Sequence, residues 1–175
     1  MKPAQLFLFS GIAAMTGGLA RIAASFPLIT DPIQLEWLYT VIDILLLFGI
    51  IGIYLQRAER LGFLGLLSFI VAVAALSFIG GPDADPFGFS TYQEGATTLA
   101  IALIGLSIAW VREGQRPLAA PVCWILSVIA AGVLSLLPAT ASYGLPAAGV
   151  LFGAGFVFAG LALTRNGAVA AHNAV

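Results

Sequence analysis

Residues 117–164 form a stretch of 48 residues without one charged side chain. As a single helix it would run about 72 Å at ~1.5 Å per residue. A bilayer core is only about 30 Å thick, so the chain has to reverse inside this stretch. Pro138, Thr140, Ser142 and Gly144 supply the turn, because proline, glycine and small polar residues punctuate helices. Two membrane spans are predicted here, over 118–137 and 144–164.

The remaining apolar runs extend the pattern to spans over 4–26, 35–56, 61–80 and 94–111. The expected fold is therefore an all-α membrane protein, a six-transmembrane-helix bundle occupying residues 1–175 as one transmembrane domain. Composition agrees: 61% of the residues are hydrophobic and 9% charged, against roughly 25% charged in an average soluble domain. The first run, between Lys2 and the small residues Ala23 and Ala24, has the outline of a signal peptide. It is expected to be a retained span, because its removal would leave an odd number of spans and misplace the remaining arginines.

Cation placement predicts orientation. Lys2, Arg57, Arg60, Arg112, Arg116 and Arg165 all fall on one side of a six-span layout, and only Arg21 does not. The opposite side carries Asp31, Glu36, Asp83, Asp85 and Glu94. Basic loops stay in the cytoplasm during insertion, so both termini are expected to be cytoplasmic (N-in/C-in). The short loops and lack of extra domains point to the inner, plasma membrane of a prokaryote. Residues 49–57 resemble residues 105–112, each ending in an interfacial aromatic (Tyr54, Trp110) followed by arginine. Three helical hairpins of similar design would produce this, and so would the positive-inside rule acting on unrelated helices.

Few polar groups lie within the spans. Asp43 stands two helical turns after Glu36, on the same face, about 10 Å deeper by the helix rise. Arg21 lies about 7–8 Å inside the outer end of the first span by the same rise. The short connection between the two spans makes them antiparallel neighbours, so Arg21 and Asp43 are expected to meet, with Tyr39 in hydrogen-bonding reach. Ionisable groups at such depth cost free energy and face a partner or a cavity. Arg21, Glu36, Tyr39 and Asp43 are thus the candidate intramembrane polar site; the alternative is an ion pair that only braces the first hairpin.

Gly149 and Gly153, with Gly160 seven residues on, form a stripe of small residues that lets another helix approach closely. A neighbour within the chain is the expected partner, and another chain is the alternative. Pro138 and Pro146 read as helix boundaries. Residues 80–93 combine turn residues, aromatics and the pair Asp83 and Asp85. Two carboxylates without further fixed oxygen ligands make a poor calcium site, so a solvated turn followed by interfacial aromatics is expected.

Missing side chains exclude whole chemistries. The only histidine is His172, near the C-terminal end, so no histidine inside the spans ligates haem or serves a membrane serine protease. The only lysine is Lys2, which removes a retinal Schiff base. One intramembrane aspartate supplies no aspartic dyad, and no phosphate-binding GxxxxGK[ST] loop occurs. Cys123 is alone, which rules out a disulfide framework within the chain. No metal, cofactor or nucleic acid is expected. Three roles survive. The first is a non-catalytic accessory or assembly subunit of a membrane complex, with lipids and other membrane subunits as partners. The second is a small proton-coupled transporter or channel using Arg21 and Asp43. The third and weakest is a lipid- or isoprenoid-modifying enzyme.

Overall fold

The computed structural model describes residues 3–79, 90–114 and 116–172, and among these the chain is helical with no strand. The elements are α1 (Pro3–Ala23), α2 (Pro32–Ile79), α3 (Thr91–Arg112), α4 (Ala119–Leu136) and α5 (Ala141–His172). All five contain segments long and apolar enough to cross a membrane. Lys2, Asp83, Asp85, Phe87 and Phe89 lie outside the described residues, as does the side chain of His172.

α2 holds the two runs expected at 35–56 and 61–80. Its 48 residues are interrupted once, at Gly62, with φ 60° and ψ −166°. That conformation is open to glycine and strained for any residue with a Cβ. The Tyr54 and Phe69 rings stack with centroids 4.1 Å apart, whereas in a straight helix their positions would be about 22 Å apart. The arms 32–61 and 63–79 therefore fold back on one another. A loop was expected at residues 57–60; these residues are helical, and the reversal sits at Gly62 instead.

Helix ends follow from local chemistry. Asp31 Oδ1 accepts from the backbone N–H groups of Ile33 (2.9 Å) and Gln34 (3.1 Å), ahead of Pro32 at the first helical position. Ser90 Oγ accepts from Gln93 N–H and opens α3. Gly114, at φ 63°, closes α3, its N–H donating to the Val111 carbonyl. α1 stops at Ala23, three residues short of the expected end. Pro138 lies in the turn between α4 and α5, but Pro146 is inside α5 rather than at its boundary. Its ring costs that helix one backbone hydrogen bond in its second turn.

The spatial order differs from the chain order. α1 packs antiparallel against both the first arm of α2 and α5, and α5 continues the ring to α4. The second arm of α2 lies against α3, and α3 touches α4 only sparingly. The α1–α5 seam is the tightest. A Cβ placed on Gly18 would stand 2.5 Å from the Gly153 carbonyl oxygen, and one on Gly160 would stand 2.6 Å from that of Gly11. Hydrophobicity gives helices no preference for each other over lipid tails, so such close backbone approach supplies the packing contacts that hold them.

The centre of the bundle is aromatic. Trp110, Trp124 and Phe156 are wholly buried. Trp110 meets Trp124 edge-on at 6.1 Å between centroids, Trp124 meets Phe156 at 5.2 Å, and Phe152 lies 5.1 Å from Phe156. Trp110 was expected at the membrane interface, but it points inward, beneath the buried guanidinium of Arg57.

Candidate functional site

At the end of the bundle away from Arg57, all five helices border a cavity of ≈530 Å³. It occupies the gap left where α3 diverges from α4: Thr97 and Ala100 form one wall, Ser127 and Ala131 the other. Ile79, Leu99 and Phe152 line it with apolar surface. Its charged groups are Arg21 and Asp43.

Arg21 is in the last turn of α1. Its guanidinium carbon lies 5.3 Å from the centre of the Tyr39 ring, a cation–π distance. The Tyr39 hydroxyl donates to the Ala24 carbonyl at 3.5 Å rather than to Asp43. Tyr92 brings a second phenol, its ring centroid 6.4 Å from that of Tyr39. Ser25 Oγ donates to the Arg21 carbonyl at 3.0 Å, closing the end of α1 where it lies beside α5. There Gly149 leaves room for both side chains: a Cβ on it would run into Ser25 Oγ and stand 3.6 Å from Arg21 Nη2.

Asp43 is half-buried on the cavity wall and within the electrostatic reach of Arg21. Among the described residues the two form no direct ion pair; the cation is turned onto Tyr39, and the carboxylate is left to the cavity. Glu36 is exposed and outside the lining, its carbonyl accepting from Thr40 Oγ1 at 3.0 Å. Three of the four residues singled out from sequence therefore share one cavity, and Glu36 stands apart.

The three glycines of α5 singled out from the sequence all face α1. Gly149 lies against Ser25, Gly153 against Gly18 and Ile22, and Gly160 against Gly11 and Met15. Gly149 thus serves both the seam and the cavity. Sequence reading missed Tyr92, Thr97, Ser127 and Phe152, because each is an ordinary residue of an apolar helix until its neighbours are known. For Tyr92 there was a signal, a phenol beside the start of α3. Among the described residues no three histidine, cysteine, aspartate or glutamate side chains cluster as metal ligands would. Comparison with protein-family models, curated proteins and solved structures finds no match for this chain.

Proposed function

We propose that this is a six-span protein of a prokaryotic inner membrane, with both termini cytoplasmic, that binds and transports a small amphipathic solute through its outer cavity. The fold-back of α2 at Gly62 supports six spans, since it makes two crossings of one long helix. Arg57, Arg60 and Arg116 gather at one end of the bundle, while Asp31 precedes α2 at the other. By the positive-inside rule the first end is cytoplasmic.

One observation carries the transport reading: Asp43, a protonatable carboxylate, lines a cavity of ≈530 Å³ with no direct ion pair to Arg21 among the described residues. A carboxylate that served only as a brace would be spent on Arg21. Here it is open to a ligand or a proton, and proton-coupled carriers use intramembrane acids in that way. The largely apolar walls, with two phenols and three hydroxyls, suit a solute with a charged head and an apolar body.

The test is reconstitution in liposomes loaded with a pH-sensitive dye and challenged with small amphipathic amines, acids and zwitterions. Substrate-evoked proton movement that Asp43→Asn abolishes, with assembly intact, is the expected result. Absence of flux together with co-purification of a stoichiometric membrane partner would overturn it in favour of an accessory subunit.

A further inference from the structure

The opposite end of the bundle holds a second cavity, of ≈610 Å³, between the tip of the α2 hairpin, the start of α1 and the α3–α4 connection. Arg57, Arg60 and Arg116 line it, with Gln56, Glu59 and Gly114. Arg60 and Arg116 are exposed, but Arg57 is only 5% exposed. Its guanidinium lies over the face of Trp110, and only Nη1 is engaged by hydrogen bonds, to Gln56 Oε1 at 2.6 Å and to the Ile53 carbonyl at 3.5 Å. No carboxylate pairs with it among the described residues.

A buried cation without a counter-charge is costly, and neither a ring face nor an amide oxygen neutralises it. Its remaining N–H groups have no protein acceptor among the described residues, and Arg57 lines the cavity. Among the described residues that line the cavity, three guanidiniums stand against the one carboxylate of Glu59, an excess of positive charge. Guanidinium forks match the oxygens of a phosphate, which accepts several charge-assisted hydrogen bonds at once. Basic pockets between transmembrane helices on the cytoplasmic side suit anionic lipid head groups.

We propose that this cavity is a binding site for a phosphate-bearing anion, with Arg57 as the buried anchor and Arg60 and Arg116 closing over it from the rim. The site does not depend on the outer cavity or on transport.

The full chain, purified in a neutral detergent, is titrated with dioctanoyl phosphatidylglycerol, dioctanoyl phosphatidylcholine and inorganic phosphate, and bound adducts are counted by native mass spectrometry. Phosphatidylglycerol is expected to bind saturably and about tenfold more tightly than phosphatidylcholine, given the worth of each basic side chain near an anionic head group. The exposed pair Arg60→Gln with Arg116→Gln should remove that preference, while Arg112→Gln, exposed and outside the lining, should leave it intact. Phosphatidylglycerol binding that phosphate does not displace identifies a lipid as the source. Saturable binding of phosphate alone, lost in the same pair, identifies the free anion. Equal binding of the two lipids without phosphate binding would overturn the proposal, as would a loss in Arg112→Gln equal to that of the pair.

Discussion

The guanidinium carbon of Arg57 lies 3.9 Å from the centre of the Trp110 ring, and both side chains are buried in the bundle. A desolvated cation–π contact of this kind is worth about 2 kcal/mol or more. Removing the ring forfeits that contact and leaves part of a fully buried indole's volume unfilled, at a cost of about 2–5 kcal/mol. Trp110→Leu should therefore lower the thermal unfolding midpoint in detergent sharply. Arg57→Met, which removes the charge and keeps the bulk, should cost about 1 kcal/mol or less, since an apolar replacement of a buried ion is often neutral. Equal destabilisation by the two substitutions would show that packing, not charge, governs this contact.

The α1–α5 seam depends on glycine for clearance. Gly18→Ala sets a methyl group 2.5 Å from the Gly153 carbonyl oxygen, and backbone there has no side chain to move aside. A loss of about 1–3 kcal/mol is expected, as for other overpacked interiors. Gly132 in α4 meets nothing within 4 Å. Gly132→Ala should thus be neutral or stabilising by about 0.5–1 kcal/mol through lower chain entropy. Thermal melts of the two variants side by side provide the comparison.

Gly62 separates strain from packing. A Cβ on it meets nothing within 4 Å, yet its φ of 60° with ψ −166° disfavours any other residue. Gly62→Ala should destabilise the protein by about 1–3 kcal/mol through backbone strain alone. Cross-linking yield between cysteines placed at Tyr54 and Phe69 should fall in parallel, because those rings meet only while the hairpin is closed.

For the cavity lined by Asp43, Asp43→Asn should change stability by less than about 1 kcal/mol, the range of surface-like changes that break no buried pair, while abolishing substrate-evoked proton movement. Gly149→Val should block the site by another route, because its side chain would fill the space now held by Ser25 and approached by Arg21. Ligand binding should be lost in both variants, measured by thermal shift with whichever compound evokes flux in the unaltered protein. A stability loss above about 3 kcal/mol in Asp43→Asn, the cost of breaking a buried pair, would mark Asp43 as a structural brace instead.

How far each feature was legible depends on the range of the forces behind it. The helices were readable because an apolar run away from water must satisfy its own backbone hydrogen bonds, and it does so locally. The division of 117–164 near Pro138 was readable for the same reason, proline being a local stop. The reversal of α2 was misplaced by a few residues: the charged segment Arg57–Arg60 looked like a loop, while the glycine able to adopt the required φ lay just beyond it. Arg57 itself looked like one more cation at the cytoplasmic edge, and nothing in its neighbours announced that Trp110, 53 positions later, would lie beneath it. Arg21, Tyr39 and Asp43 were found together because a short connection joins their helices. Tyr92, Ser127 and Phe152 come from helices whose position follows from no connection to α1.

By itself, then, the sequence determined that this chain is helical and apolar, and where most of its helices start and stop. Only the tertiary structure decided that α1 lies between α2 and α5, that α3 and α4 part to open a cavity, and that Arg57 is buried while Arg60 and Arg116 are not. The physical reason is that lipid tails are as apolar as the helices. Hydrophobicity therefore determines what enters the membrane, whereas the choice of neighbours rests on the fit of particular surfaces, such as Gly18 against Gly153, that lie far apart along the chain.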